Sequence, residues 1–240
     1  VRFLMENGFK ISKIAEMKGA DLISQVDRTQ ESQGLQSSIF HSLKLSMLHY
    51  DEALYRSVVD AYSEEHGLDR TVLDVFLPFL AQIGVLWLTN SICPAQEHFI
   101  SNLMRQSLHA GVDRLSVKSE DDPAVVVLFL PERETHDISL LFVHYLCTLY
   151  GYQSIFLGTN VPFEDLLNVA AQFPKAKFVS YCTTHPSPSN AQDYVQKVER
   201  QFVGSSNEFY LGGRMFDGIK STTNVKLAKD GGSLVGLLFS

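Results

Sequence analysis

Apolar residues recur at two different spacings along this 240-residue chain, and the change of spacing divides it into two parts. From Leu35 to Ser116 they recur every three or four positions, as at Leu73, Phe76 and Leu80, which is typical of amphipathic helices. Capping and helix-ending residues interrupt this pattern. The sequence therefore predicts a bundle of four helices at about 35–49, 51–65, 69–90 and 94–115.

Single residues set the predicted helix boundaries. Asp51, Asp69 and Pro94 stand where helices should begin, and Gly67 stands where one should end. Pro78 lies inside the third helix and should kink it, because proline has no backbone N–H to donate.

From residue 124 onward, short apolar runs alternate with helical segments, which predicts a parallel sheet covered by helices. The first run, Ala124–Leu130, is rich in valine, as expected of a strand buried on both faces. The predicted fold class is α/β, with an N-terminal four-helix bundle followed by a doubly wound parallel five-stranded sheet of the Rossmann-like, flavodoxin-like kind. Strands are expected at 124–130, 154–157, 178–182, 208–211 and 225–227, and helices near 138–150, 163–173, 189–202 and 232–240. The polar segment 117–123 is predicted to join the bundle to the sheet.

Composition narrows the possible functions. The formal net charge of -7 argues against a nonspecific binder of polyanions. Three cysteines without a paired metal-binding spacing favour a reducing, cytoplasmic setting. No secretory signal or 18-residue apolar run is visible, so no membrane location is expected. A dinucleotide fingerprint, a P-loop, an HExxH motif and a nucleophile elbow are also absent from the sequence, and no catalytic residue is predicted.

The polar segment after the first predicted strand carries the candidate chemistry. Glu134, His136 and Asp137 lie where the carboxyl end of a parallel strand faces the ligand-binding crevice. A neighbouring carboxylate can orient an imidazole and raise its basicity toward a metal. The alternative is that Asp137 or Ser139 caps a helix and that His136 is a solvated loop residue.

Residues 134–139, ETHDIS, resemble the cobalamin-binding signature of methionine-synthase-like corrinoid domains, in which an acidic residue, any residue, His, two residues and Gly follow one another. The resemblance implies cobalamin as the cofactor, with its upper ligand left open. It also implies His136 as the lower ligand to cobalt, with Glu134 and Asp137 as supports. Ser139 replaces the usual glycine, whose lack of a side chain would let the cofactor's nucleotide tail pass close to the backbone.

A second motif lies in the predicted bundle, where Trp87 is followed after nine residues by Glu97 and His98. This spacing resembles that of cobalamin-sensing MerR-type regulators, in which these residues cover the upper face of the corrin. The alternative is a core tryptophan and an acid–histidine pair at a helix start. Leu88 stands where some light-responsive members have histidine, which argues against photochemical switching through that position.

Two further loops complete the resemblance. Thr183 and Thr184 follow the third predicted strand, and Gly212 and Gly213 follow the fourth. In the family, residues at these positions contact the nucleotide tail. The alternative is that the glycine pair simply forms a turn.

The N-terminal segment Val1–Met17, VRFLMENGFKISKIAEM, resembles the closing part of the winged-helix DNA-binding domain of MerR-type regulators. A helical hairpin with an apolar stripe is the alternative. The polar segment 25–34, QVDRTQESQG, has no apolar period and is predicted to be a linker. We expect the chain to be a piece of a longer protein whose DNA-reading helices precede Val1.

Taken over the whole chain, the resemblance implies a non-enzymatic, ligand-sensing region of a MerR-family regulator that binds cobalamin between bundle and α/β domain and controls DNA binding through oligomer state. The expected domains are a winged-helix remnant and linker at 1–31, a helix-bundle cap at 32–118 and a Rossmann-like cobalamin-binding domain at 119–240. The expected partners are operator DNA, through an N-terminal domain mostly absent from this chain, and further copies of the chain. The alternatives are a corrinoid shuttle protein of a methyltransferase system and a cofactor-free regulator that keeps the fold.

Overall fold

The computed structural model describes residues 19–88, 91–115, 124–220 and 224–239, with side chains from residue 34 onward except at Leu88. The chain divides into two compact units, Val1–Leu103 and Met104–Ser240. The expectations for Val1–Met17 and for the joining segment 117–123 lie outside the described residues.

The four predicted helices of the bundle are confirmed, with an irregular turn inside the third. A single helix covers Gly19–His49, although segment 25–34 was predicted to be a linker. That prediction was wrong because the segment has no proline and contains Gln, Glu and Arg, which favour helix even without an apolar face. The helices are α1 (Gly19–His49), α2 (Glu52–His66), α3 (Leu68–Thr71), α4 (Leu77–Leu88) and α5 (Pro94–Arg114).

The predicted boundary residues act as expected around α2. The Asp51 carboxylate accepts a hydrogen bond of 2.9 Å from the backbone N–H of Leu54 and so caps the helix. Gly67 ends the helix with a φ of 87°, a conformation that glycine adopts without steric penalty.

A π-helical turn, Val72–Phe76, lies between α3 and α4, just before Pro78. Since Pro78 has no N–H, the carbonyl of Asp74 loses its helical donor. The side-chain amide of Gln36, on α1, donates to this carbonyl at 2.9 Å. The irregularity predicted at Pro78 is therefore present, and a neighbouring helix compensates for the missing hydrogen bond.

Leu43, Met47, Tyr55 and Phe76 form part of the core of the first unit, with the rings of Tyr55 and Phe76 stacked at 6.4 Å. Within the described residues, the helical stretch Leu68–Trp87 is long and apolar enough to cross a membrane. One such helix is weak evidence for a membrane span, because the core helix of a soluble protein meets the same test. Phe76, within this stretch, is fully buried.

The second unit is a five-stranded parallel sheet with helices on both faces, as predicted. The strand order is β2-β1-β3-β4-β5, which is the flavodoxin-like order. The strands are β1 (Val125–Pro131), β2 (Gln153–Val161), β3 (Lys177–Tyr181), β4 (Glu208–Gly212) and β5 (Val225–Ala228). The helices between and after them are α6 (Ile138–Leu149), α7 (Phe163–Gln172), α8 (Pro188–Gln201) and α9 (Gly231–Leu238), with a short 3-10 turn at Arg214–Phe216.

Strand β2 is longer than predicted, because it continues beyond residue 157 to Val161. Its register against β1 shifts in this extension. Gly158 and Asn160 both have positive φ values there, 78° and 56°. These two residues belong to the types that adopt such angles most readily. The predicted strand ended too early because the pairing to β1 continues through them.

The two faces of the sheet have separate cores. One core contains Val127, Phe129 and Phe178, and the other contains Val126 and Leu128. Because alternate residues of β1 enter opposite cores, this strand is buried on both sides. The chain passes from β1 outward to β2 and then back across to β3. The loops that follow β1 and β3 therefore meet at the switch point of the sheet, where folds of this kind bind ligands.

Candidate cofactor-binding site

Glu134 is the central residue at this switch point. It lies in the loop after β1 with a fully buried side chain. Its Oε1 atom accepts hydrogen bonds from the backbone N–H groups of Thr135 and His136 at 2.9 and 3.0 Å. Its Oε2 atom accepts from the N–H groups of Thr183, Thr184 and His185 at 2.8, 2.6 and 2.9 Å. One carboxylate thus joins the loops after β1 and β3.

His136 binds the same carboxylate through its ring. Its Nδ1 atom lies 2.6 Å from Oε1 of Glu134, while the His136 side chain is 54% exposed. An ionised carboxylate can only accept, so Nδ1 carries the proton of this hydrogen bond. In neutral imidazole the lone pair then belongs to Nε2, which is the nitrogen that a metal would use.

The pKa of Glu134 reflects two opposing effects. Burial by itself would raise this pKa, but the hydrogen bonds from His136, Thr184 and His185 outweigh it and hold the pKa well below its usual range. Glu134 is therefore ionised at neutral pH. A buried anion beside the ring favours a proton on Nδ1 and makes the imidazole a stronger ligand.

Asp137 forms an ion pair with an arginine of the bundle's last helix. Its Oδ1 atom lies 2.6 Å from Nε of Arg105, on α5, and the two side chains are 20% and 27% exposed. Asp137 stands at the N-cap position of α6 but makes no side-chain capping hydrogen bond. The carboxylate bonded to Nδ1 of His136 is that of Glu134. Ser139 lies in the first turn of α6.

Thr183 and Thr184 lie in the loop after β3, where their backbone N–H groups bind Glu134. The Thr184 hydroxyl is also near the pair, with Oγ1 at 3.2 Å from Oε2 of Glu134 and 3.5 Å from Nδ1 of His136. The loop after β3 therefore contacts both members of the acid–histidine pair.

Gly212 and Gly213 follow at the end of β4, with Gly213 at a φ of 111°. A side-chain Cβ at Gly213 would lie 1.9 Å from the carbonyl oxygen of Cys182, which no side chain could tolerate. A Cβ at Gly212 would lie 2.9 Å from the ring of Tyr181. The close approach of chain segments is sufficient to explain Gly213, in agreement with the alternative of a turn.

Trp87, Glu97 and His98 all belong to the first unit. Trp87 is 40% exposed near the end of α4, which contradicts the alternative of a core tryptophan. Glu97 and His98 lie near the start of α5, where Nδ1 of His98 is 2.8 Å from Oε2 of Glu97. The His98 side chain is 70% exposed, so the pair presents an imidazole at the surface of this unit.

Tyr194 of α8 was not predicted as a site residue. Its hydroxyl is buried, and the part of the chain that the structure describes supplies it with no hydrogen-bond partner. Burial raises the pKa of Tyr194 well above its ordinary value, and the nearby Cys182 and Glu132 raise it further. The hydroxyl therefore stays protonated. A buried hydroxyl without a partner costs about 1–3 kcal/mol, so its position beside the residues that follow β1 and β3 suits a polar ligand group.

Comparisons with known proteins agree with a cobalamin-binding fold. Residues 39–110 match the family described as the B12 binding domain. The chain is similar to the monomethylamine corrinoid protein of Methanosarcina barkeri, with a TM-score of 0.65 and 16% identity over 84% of this chain and 97% of that one. No curated protein matches the chain significantly.

Two other solved structures are similar at a TM-score of 0.40. One is a cobalamin-binding protein from Desulfitobacterium hafniense DCB-2, 13% identical over 84% of this chain and 97% of that one. The other is the methanol:cobalamin methyltransferase complex MtaBC from Methanosarcina barkeri, 12% identical over 100% of this chain and 91% of that one. At 16% identity, the monomethylamine corrinoid protein establishes the fold alone. The family match over residues 39–110 supports cobalamin as the cofactor, as the sequence predicted, whereas the MerR-type resemblance stays a prediction.

Proposed function

We propose that this chain binds cobalamin, with His136 as the lower ligand to cobalt. The observation that carries this proposal is the half-exposed imidazole at the switch point, bonded at 2.6 Å to the buried carboxylate of Glu134. Imidazole nitrogen is a good ligand for a first-row transition metal, and the carboxylate orients it as outer partners do at other metal sites.

The residues at this edge of the sheet fit such a cofactor. His136 would supply the one protein ligand, because the corrin itself surrounds the metal. Thr183, Thr184 and the Gly212–Gly213 segment would hold the nucleotide tail, and the orphan hydroxyl of Tyr194 offers a donor to it. Trp87, Glu97 and His98 are proposed to face the upper side of the corrin. When bound, cobalamin supplies a cobalt centre with an exchangeable upper ligand.

Titration of the purified chain with hydroxocobalamin, followed by visible absorbance and gel filtration, tests this proposal. We expect about one cobalamin per chain, with a spectrum that indicates histidine ligation. His136→Ala should weaken binding by roughly 10-fold or more and remove that spectral signature, because the ligand and its oriented carboxylate partner are lost together.

His185→Ala is the matched control, since His185 is a second histidine at the same switch point. Its ring contacts the Thr184 hydroxyl at 3.1 Å rather than the Glu134 carboxylate, which its backbone N–H binds. This variant should keep both affinity and spectrum. If instead His136→Ala leaves both unchanged, the ligand assignment fails.

Two biological roles would use the same site. A corrinoid carrier in methyl transfer is favoured by the fold that the chain shares with the monomethylamine corrinoid protein, over 97% of that protein's chain. A MerR-type sensor, which controls DNA binding through oligomer state, is supported by the Trp87, Glu97 and His98 spacing and by the resemblance of Val1–Met17. In either role the chain binds the cofactor without being the catalyst.

Analytical ultracentrifugation with hydroxocobalamin, methylcobalamin and adenosylcobalamin separates these roles. A sensor must change its state of assembly between the cofactor-free chain and at least one cofactor-bound form, because a ligand shifts an equilibrium only by its differential affinity for the two states. A carrier should bind methylcobalamin and keep the mass of the cofactor-free chain with every form. A mass that none of the three forms changes from its cofactor-free value would therefore favour the carrier.

A further inference from the structure

The ion pair between Arg105 and Asp137 holds the residue that directly follows the candidate cobalt ligand. Nε of Arg105 is 2.6 Å from Oδ1 of Asp137, and about three quarters of each side chain is buried. Partly buried pairs with a charge-assisted hydrogen bond of this length are screened less by solvent than surface pairs are. The contact spans 32 positions of sequence, so it joins α5 to the start of α6.

Asp137 is not used in the way that its position suggests. Aspartate at an N-cap ordinarily accepts a hydrogen bond from the first turn of the helix, which stabilises the helix. Asp137 makes no such bond, and its carboxylate points to Arg105 instead. The arrangement gives up local helix stability in favour of a contact with a distant segment.

His136 consequently lies between two anchors. On its N-terminal side, Glu134 binds the N–H groups of Thr135 and His136 and the histidine ring. On its C-terminal side, Asp137 is held by Arg105. A ligand residue fixed on both sides keeps its ring in one orientation, which is what metal ligation needs.

We propose that Arg105 is a positioning residue for His136 and acts through Asp137. This inference rests on the proposed function, because it gives Arg105 its role at the same cobalt-binding site. Arginine suits the role since its guanidinium donates in fixed directions and stays charged at every relevant pH.

Charge reversal tests the pair directly. Arg105→Glu and Asp137→Arg each place like charges together, and we expect each to weaken cobalamin binding by ~10-fold and to lower the histidine-ligated fraction in the absorbance spectrum. The double variant should recover most of the affinity and spectrum, since the opposite charges meet again. Arg114→Glu is the matched control, because it makes the same charge change at an exposed position of the same helix and should have no effect.

A measurement without cofactor keeps this inference separate from the proposed function. Hydrogen exchange of the backbone amides of Thr135 and His136 should become roughly 10-fold faster in Arg105→Glu, because the loop is released at one end. The amide of Val127 in the core of β1 should keep its exchange rate, which excludes a general loss of stability. Arg105→Lys should lie between the parent and Arg105→Glu.

These measurements distinguish failure of the proposed function from failure of the role proposed for Arg105. If the parent chain binds no cobalamin, the proposed function fails, and the exchange data alone decide whether Arg105 fixes the loop. If the parent binds cobalamin but both charge reversals keep its affinity, spectrum and loop exchange, Arg105 has no positioning role. Equal acceleration of exchange at Val127 and His136 would likewise overturn the inference, since the pair would then stabilise the whole unit.

Discussion

Replacing Glu134 with glutamine removes a buried charge and turns one carboxylate oxygen into an NH₂ group. In the parent chain each oxygen of Glu134 accepts three N–H hydrogen bonds, counting the ring of His136 among those at Oε1. An NH₂ group in place of Oε2 meets three backbone N–H donors and can accept from none of them. An NH₂ group in place of Oε1 meets two such donors, and the His136 ring can accept from it only by moving its proton from Nδ1 to Nε2. Glu134→Gln therefore leaves about half of the hydrogen bonds at the switch point unmade.

The magnitude follows from the number of donors. A buried donor without an acceptor costs about 1–3 kcal/mol, and some of the three can recover a partner by small shifts or by hydration. We expect Glu134→Gln to lower the free energy of unfolding of the second unit by about 3–6 kcal/mol. That is a large part of the roughly 5–15 kcal/mol of a typical domain, so the variant should remain folded only with a small margin. The exposed neighbour Glu132 gives a control, since Glu132→Gln should change stability by less than about 0.5 kcal/mol.

The assay must report on the second unit, and the single tryptophan, Trp87, lies in the first. Native-state hydrogen exchange of the β1 core amides, such as those of Val127 and Leu128, gives the opening free energy of the sheet itself. The expected result is a drop of several kcal/mol at these amides in Glu134→Gln. A drop below about 1 kcal/mol would refute the argument, because it would mean that the orphaned donors are readily satisfied by water.

Three further predictions concern other parts of the second unit. Tyr194→Phe should raise the apoprotein's unfolding free energy by about 1 kcal/mol in urea denaturation, since it removes a buried hydroxyl without a partner, and should weaken cobalamin binding if that hydroxyl contacts the cofactor. Burial and a second histidine lower the pKa of His144, so the folded state favours its neutral form and the free energy of unfolding should fall as pH drops below about 6.5. His144→Gln should flatten this pH dependence between about pH 7 and 5, and an unchanged dependence of the unfolding free energy on pH would contradict the argument. Gly213→Ala should prevent stable folding because its Cβ would lie 1.9 Å from a backbone oxygen, whereas Gly218→Ala, also at positive φ but with nothing within 4 Å, should lower the melting temperature only slightly.

The sheet was predictable from sequence because its central strands are buried on both faces. A run such as Val125–Leu130 has no polar residue, so a strand is the natural interpretation when turn residues bound it. The hydrophobic pattern failed to predict secondary structure in segments whose conformation does not depend on burial. The polar segment 25–34 gives no apolar period, and yet it continues a helix. The end of β2 around Gly158 and Asn160 is held by pairing to β1, which leaves little trace in the sequence.

The candidate site was only partly predictable, for a related reason. Glu134 and His136 are two residues apart, so a short motif reveals them together. The contacts from the loop after β3 come across 49 to 51 positions and use backbone N–H groups, which every residue but proline has. In the sequence, Arg105 is simply a cation on a predicted helix, and Tyr194 is simply an aromatic residue on a predicted amphipathic helix. Neither pattern indicates a role at the site. Asp137 was expected to support the histidine, and its ion pair with Arg105 could not be predicted because it joins residues 32 positions apart.

A single carboxylate links the two halves of this site, and that has a consequence for how ligand binding could be sensed. Oε2 of Glu134 receives the amides of the loop that carries Thr183 and Thr184, and Oε1 receives the ring of His136. A displacement of that loop must therefore alter the hydrogen bonds of Glu134 or move its side chain, because buried N–H groups are costly to leave unpaired. Either change reaches Nδ1 of His136 directly and alters the basicity of its other nitrogen. Contacts proposed for the nucleotide tail and the bond proposed for cobalt are thus coupled through Glu134, so that occupancy of one should strengthen or weaken the other.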